Sequence, residues 1–133
     1  MDKVKSTRHS RYHINYHIVW IPKYRRKVLV GHVASRAEEI LRQIAKAMAW
    51  EIVALEVMPD HVHLFVSAPP KFSPADIVKR FKGVSARQLL LEFPELAKRT
   101  GQGTLWAPSY YIGTAGAVSA EIIKRYIEEC QDH

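Results

Sequence analysis

Apolar residues recur at two different spacings along this chain, and the order of the two spacings limits the possible folds. Residues 12–20 alternate between apolar and mostly polar positions, a two-residue period that predicts a β-strand. Residues 33–48 carry apolar side chains at three- and four-residue steps, which predicts an amphipathic helix. Residues 51–58 and 61–67 have the composition of two strands joined by a tight turn at Pro59-Asp60. The chain is therefore expected to start with a strand, a helix and a β-hairpin.

A second helix is predicted after the hairpin from its start and stop signals. Ser73 is a suitable N-cap, and Pro74 suits the first helical position because its missing N–H would have no partner there. The helix should end near Phe93, since Pro94 disfavours helical backbone in the residue before it.

The last third of the chain is predicted to add a strand and a helix. Residues 95–103 read as a loop or short helical turn, and residues 106–112 as a strand with an aromatic cluster. Gly113 and Gly116 are expected to loosen the backbone before a final helix at 119–130.

The first six elements, in the order strand, helix, strand, strand, helix, strand, have the split βαβ arrangement of ferredoxin-like and RRM-like folds. The predicted class is α+β, an antiparallel sheet with both helices on one face and the other face free. The final helix is an addition to this plan, and residues 1–133 are expected to form a single domain.

Basic residues exceed acidic ones, with 20 Lys and Arg against 13 Asp and Glu and a net charge of +7. Such a chain attracts polyanions, of which nucleic acid is the commonest, although a basic surface that serves only solubility is the alternative. No apolar run reaches the roughly 18–20 residues of a membrane span. The polar start at 1–11 and the single cysteine, Cys130, favour a cytoplasmic protein with no membrane association.

Two histidines occupy one face of the predicted third strand. His61 and His63 are two residues apart, so both imidazoles project to the same side while Val62 points to the helices. Neutral imidazole nitrogens in this arrangement can bind a divalent metal ion. A pair of surface histidines with no ligand is the alternative, because this spacing alone is a weak signal.

Cations cluster around the first strand and on the second helix, and tyrosines are interleaved with the first group. Cations that pair with phosphates, next to rings that stack on bases, are typical of a surface for single-stranded nucleic acid. The candidate nucleic-acid-binding residues are Arg11, Lys23, Arg25, Arg26, Lys79, Lys82 and Arg87.

Tyr126 lies in the final predicted helix, on the apolar stripe that it shares with Ile122 and Ile123. Its position is therefore compatible with a purely structural role in the core. Lys124 and Arg125 precede it, and a phenol with pKa near ~10 needs such cations or a base before it becomes a nucleophile at neutral pH.

Taken together, these motifs resemble the small single-tyrosine HUH transposases of the insertion-sequence 200/605 group. The matching strings run in order along nearly the whole chain, and the string around His61 is far more specific than the histidine pair by itself. They are YHIVW at 16–20, KYR at 23–25, EVMPDHVHL at 56–64, KGVSAR at 82–87, LWAPSYY at 105–111 and KRYIE at 124–128.

The resemblance implies that Tyr126 is the nucleophile and that His61 and His63 are metal ligands, with Mg²⁺ or Mn²⁺ as the metal and no nucleotide cofactor. It implies that the protein cuts and rejoins single-stranded DNA with hairpin ends through a 5′-phosphotyrosine intermediate. It also implies a homodimer in which each final helix carries its tyrosine to the metal site of the other subunit.

One position departs from the family pattern. The family usually supplies a glutamine as third metal ligand four residues after the tyrosine, where this chain has Cys130. A thiol suits Mg²⁺ poorly, because this ion prefers oxygen ligands. Gln131, one position later, is therefore our candidate for the third ligand, with Glu56 and Asp60 as oxygen-bearing alternatives near the histidines.

Two other functions are compatible with the sequence. A non-catalytic RRM-like protein that binds single-stranded nucleic acid would have the same sheet, but it would need exposed aromatic residues on the central strands. A metal-dependent phosphohydrolase would use the same histidines with an activated water molecule instead of Tyr126.

Overall fold

A four-stranded antiparallel sheet organises the molecule. The computed structural model describes residues 13–101, 103–114 and 128. The strands are β1 (Ile14–Trp20), β2 (Glu51–Met58), β3 (His61–Ala68) and β4 (Tyr111–Thr114), and the helices are α1 (Gly31–Met48), α2 (Pro74–Glu92) and the short α3 (Leu96–Thr100).

The strand order across the sheet is β2-β3-β1-β4, and all neighbouring pairs are antiparallel. This order, with one helix after β1 and one after β3, is the split βαβ plan predicted from the sequence. The predicted fold class is confirmed, and β3 and β1 are the two central strands.

The hydrophobic core lies between one face of the sheet and the helices. Side chains at alternate positions of β1 and β3 are completely buried, as a two-residue period requires. They pack against a stripe on each long helix, spaced at three and four residues. The core residues that define this face are Ile18, Trp20, Val62, Leu64 and Val66 from the sheet, and Leu41, Ile44, Ile77, Phe81 and Leu89 from the helices.

The boundaries of α2 follow the signals in the sequence. Its N-cap Ser73 accepts a hydrogen bond from the backbone N–H of Asp76 at 3.0 Å, and Pro74 is the first helical residue. The helix ends at Glu92, directly before Phe93. No helix within the described ranges is long and apolar enough to cross a membrane.

The fourth strand differs from its prediction. It covers Tyr111–Thr114, whereas the sequence predicted a strand over 106–112. Trp106 forms only an isolated bridge with Pro22, and Pro108 has no N–H with which to continue a ladder. Gly113 lies within β4 opposite His17, so it is part of the ladder and not the expected joint. Gly116 and most of the predicted final helix lie outside the described residues.

The Tyr111 side chain lies close to Gly113. A Cβ at this position would lie 2.5 Å from the hydroxyl oxygen of Tyr111, because the Tyr111 ring lies across the strand at this point. Any larger residue at this position would therefore require the Tyr111 side chain to shift.

The segment that leads into β4 is tied to α2 by side-chain hydrogen bonds. The indole N–H of Trp106 donates to Ser85 Oγ at 3.0 Å, and both side chains are buried. The ammonium of Lys82 donates to the backbone oxygens of Ala107 at 2.7 Å and Ser109 at 3.2 Å. These bonds replace the ladder that Pro108 interrupts.

Substitution Ser85→Ala is expected to lower the free energy of unfolding by about 1–3 kcal/mol, because it leaves a buried indole N–H without an acceptor. Urea denaturation at equilibrium measures the change. Ser67→Ala is the matched control, since this buried serine in β3 bonds to no buried indole. An equal loss in the two variants would show that the Trp106 hydrogen bond has no special weight.

Candidate active site

His61 and His63 project from the face of β3 that is opposite the helices. Their neighbours Val62 and Leu64 are fully buried in the core, whereas both histidines are half-buried. The alternation along the strand therefore places both imidazoles on the open face, as the sequence predicted.

A chain of two hydrogen bonds holds the His61 ring in place. Asp60 Oδ1 lies 3.0 Å from His61 Nδ1, and Asp60 Oδ2 accepts a bond of 2.8 Å from Nε of Arg25. Burial raises the pKa of the Asp60 carboxyl, but the bonds from His61 and Arg25 outweigh burial, and the pKa is lowered overall. An ionised carboxylate only accepts hydrogen bonds, so the contact with Asp60 favours, for the neutral ring, the tautomer with the proton on Nδ1 and the lone pair on Nε2, the nitrogen that can bind a metal ion.

A third histidine, His17, contacts His63 on the open face. His17 Nδ1 lies 3.3 Å from His63 Nε2, and the His17 ring packs on Phe65 with the ring centroids 4.4 Å apart. Burial and the neighbouring His17 lower the pKa of His63, which favours the neutral imidazole that can bind a metal.

The sequence analysis assigned no function to His17. The contact with His63 depends on the register between β1 and β3, in which His17 pairs with Phe65 and Val19 pairs with His63. The sequence feature that could have suggested this contact is a histidine among the mostly polar alternate positions of the first strand.

The donor set on this face suits part of a divalent metal site. His61 and His63 supply two imidazoles, and a fixed carboxylate behind His61 is the usual support for such a ligand. Within residues 13–101, 103–114 and 128, no group of three His, Cys, Asp or Glu side chains is placed to hold a metal ion. These two histidines therefore need a further ligand from elsewhere.

Asp60 and Glu56, the alternatives to Gln131 as the third metal ligand, have different surroundings. Asp60 is already occupied by Arg25 and His61. Glu56 pairs with His63 in the sheet, and its Oε1 is 3.8 Å from His63 Nδ1, but its side chain is 68% exposed. Tyr126, Gln131 and Cys130 lie outside the described residues.

The candidate nucleic-acid-binding residues fall into separate groups. Lys23 and Arg26 belong to the loop after β1, next to the Arg25–Asp60 ion pair. Lys82 is half-buried, and burial lowers its pKa to about 8 while its ammonium bonds to backbone oxygens. Arg11 lies outside the described residues.

Lys79 and Arg87 line a cavity of about 490 Å³ on the helix side of the sheet. Trp50 and Phe72 form an aromatic part of its wall, and the indole N–H of Trp50 is buried without a hydrogen-bond partner among the described residues. A wall of aromatic rings with a basic rim is suited to a nucleotide with its phosphate. The remaining lining residues are Met48, Asp76, Arg80, Gly83 and Val84.

Comparison with known proteins identifies the family. A family model described as "Transposase IS200 like" matches residues 10–130, which is most of the chain. The chain belongs to the IS200-like transposases.

Two relatives of this transposase show how far the similarity extends. The ISDra2 transposase TnpA of Deinococcus radiodurans is 43% identical over 130 residues, which cover 98% of this chain and 93% of that protein. The transposase for insertion sequence element IS200 of Salmonella typhimurium is 33% identical over 132 residues, which cover 97% and 87% of the two chains.

Solved structures support the same fold. The crystal structure of a Deinococcus radiodurans R1 protein described as a transposase superposes with a TM-score of 0.87 at 44% identity and covers 98% of both chains. A REP-associated tyrosine transposase bound to a REP hairpin superposes with a TM-score of 0.56 and covers 96% of this chain and 70% of that one. At 12% identity, the second likeness concerns the fold alone.

Substitution Asp60→Asn is expected to weaken Mn²⁺ binding by about 10-fold or more, because the neutral amide no longer favours the Nδ1–H form of His61. Isothermal titration calorimetry with the full chain and Mn²⁺ measures this. Asp76→Asn, in the first turn of α2, is the matched control and should leave the affinity unchanged. Equal affinities in Asp60→Asn and wild type would contradict the role of the carboxylate.

Proposed function

We propose that this transposase cuts and rejoins single-stranded DNA at hairpin-marked ends of an insertion sequence, with Tyr126 as the nucleophile. The main support is the pair His61 and His63 on an open sheet face, in a chain of the IS200-like family. Asp60 holds His61 and is itself bound by Arg25, and His17 contacts His63. The resemblance of KRYIE at 124–128 to the family motif supports the assignment of Tyr126.

His61, His63 and Gln131 are the residues that would hold a divalent ion, Mg²⁺ or Mn²⁺. When bound, such an ion polarises the scissile phosphate and offsets the negative charge that builds on it during attack. Asp60 favours the tautomer of neutral His61 that has its lone pair on Nε2, and burial together with His17 lowers the pKa of His63, which favours its neutral form.

The proposed reaction transfers the 5′-phosphoryl end of the cut strand to Tyr126. The Tyr126 oxygen bonds to phosphorus, the bond to the 3′ oxygen breaks, and the phenol proton ends on the 3′-hydroxyl that leaves. The 5′-phosphotyrosine conserves the free energy of the broken bond, so a second DNA end can reverse the attack. Rejoining therefore needs no nucleotide cofactor, whereas a water nucleophile would lose that free energy.

The basic residues would hold the DNA through its phosphates. Lys79 and Arg87 line a cavity with aromatic walls on one side of the sheet, and Lys23 and Arg26 lie beside the histidine face on the other. Arg11, Arg25 and Lys82 complete the proposed contact set, although Arg25 and Lys82 also have bonds within the protein. The DNA would then contact both sides of the subunit. The proposed location of the protein is the cytoplasm.

A non-catalytic protein that binds single-stranded nucleic acid is the second candidate. Its support is Phe65, a half-buried ring on central strand β3 that faces the same side as His63. In RRM-like proteins, rings at such positions stack on bases. Here the Phe65 ring packs on His17, which leaves less of its surface for a base.

Tyr126→Phe is expected to abolish the covalent protein–DNA adduct, because phenylalanine has no nucleophilic oxygen. The assay incubates the protein with Mn²⁺ and a set of single-stranded hairpin DNAs and separates the products on a denaturing gel. Tyr110→Phe, at an exposed tyrosine, is the matched control and should form the adduct.

The alternatives give different results in the same assay. Cleaved DNA without an adduct, unchanged in Tyr126→Phe, would identify a phosphohydrolase that uses water. Intact DNA with every hairpin, together with tight binding, would favour the non-catalytic protein.

We further propose a homodimer in which Tyr126 of one subunit serves the histidine pair of the other. A mixture of His61→Ala and Tyr126→Phe subunits should then recover cleavage, because one of the two sites in a mixed dimer has both intact parts. Tandem-tag purification isolates the mixed dimers before the assay. Inactive mixed dimers, alongside active wild-type dimers prepared in the same way, would indicate a site built within one chain.

A further inference from the structure

Two consecutive residues after β1 have left-handed backbone conformations. Tyr24 has φ 59° and ψ 18°, and Arg25 has φ 53°. For residues with a Cβ this region is unfavourable, and an aromatic residue is rarely found there. The only other non-glycine residue with positive φ in the described ranges is Ala49, which ends α1, where a left-handed residue is common. We call residues 22–26 the Tyr24 turn.

The backbone of the Tyr24 turn is held by its surroundings. Lys23 N donates to Leu105 O at 2.8 Å, and Pro22 bridges to Trp106. The Arg25 side chain is bound to Asp60 at 2.8 Å. These contacts over-determine the turn, which is how an unfavourable backbone conformation persists in a folded protein.

The Tyr24 side chain contributes little to the core that these contacts build. It is 50% exposed, and it is one of the few large hydrophobic side chains in the described residues with such exposure. The turn therefore presents an aromatic ring to solvent at a cost in backbone strain. Strain of this kind concentrates at functional sites, which is why the ring requires an explanation beyond stability.

Two cations flank the ring. Lys23 Nζ lies 5.5 Å and Arg26 Cζ lies 6.0 Å from the ring centroid, near the outer limit of cation–π contact. At an exposed position such contacts are weak, so a base can replace one of them while the cation moves to a phosphate. An exposed ring between two cations is the arrangement that binds single-stranded nucleic acid without reading its sequence.

The turn is also connected to the histidine pair. Arg25, the residue after Tyr24, bonds to Asp60, and Asp60 bonds to His61. A DNA strand that contacts Tyr24 is thereby placed beside the open face of the sheet that carries His61 and His63.

We propose that Tyr24 stacks on a base of the DNA strand next to the phosphodiester that is cut, with Lys23 and Arg26 on the flanking phosphates. This inference rests on the proposed function, because it assumes that single-stranded DNA reaches the histidine face. Tyr24 acts as a positioning residue that orients the strand and takes no part in bond making.

The test compares binding of oligothymidylate with binding of an abasic strand of the same length and charge. Tyr24→Asn removes the ring, and asparagine tolerates left-handed backbone better than most residues, so the turn is retained. We expect this variant to bind oligothymidylate about fivefold or more weakly than wild type and the abasic strand equally well. Tyr24→Phe, which keeps the ring, should bind both strands as wild type does. Fluorescence anisotropy measures all affinities.

Thermal unfolding separates stacking from a structural role. The midpoint of Tyr24→Asn should equal or exceed that of wild type, because the strain is reduced. Three results for Tyr24→Asn would each overturn the inference. They are an equal loss of affinity for oligothymidylate and the abasic strand, a large drop in the unfolding midpoint, and an unchanged affinity for oligothymidylate. Failure of the wild type to form a phosphotyrosine adduct would overturn the proposed function instead, and the anisotropy result would still decide whether Tyr24 stacks on bases.

Discussion

The central strand β3 carries both the core and the candidate site, because its side chains alternate between the two faces of the sheet. Val62, Leu64 and Val66 point to the helices and are completely buried, while His61 and His63 lie on the opposite face. Removal of the buried set from water holds the strand in a single register. The positions of the two imidazoles are thus fixed by the packing of fully buried residues on the opposite face.

Asp60 links this strand to the basic loop after β1. Its carboxylate accepts one bond from Arg25 and one from His61, so the two segments are joined although they are 35 residues apart. The same bonds lower the pKa of Asp60, so it remains ionised at neutral pH. The loop that carries Tyr24 and the histidine that would hold a metal are therefore parts of one connected unit.

The basic residues of α2 have different surroundings. Lys79 and Arg87 line a cavity, in keeping with a role at a phosphate. Lys82, on the same helix, is half-buried and holds the segment before β4 through the oxygens of Ala107 and Ser109. Charge counting from the sequence treats these lysines alike, because burial and hydrogen bonding are properties of the folded chain.

The sequence by itself determined the secondary structure from β1 to α2, including the N-cap Ser73, because periodicity and capping are local properties. Its motif strings indicated the family, and the two-residue period of the third strand placed His61 and His63 on one face. Only the tertiary structure decided that the fourth strand starts at Tyr111, that His17 contacts His63, and that Arg25 bonds to Asp60. Each of these depends on strand register or on a contact between distant segments. Such contacts form when separate elements pack together, so the local spacing of residues along the chain does not predict them.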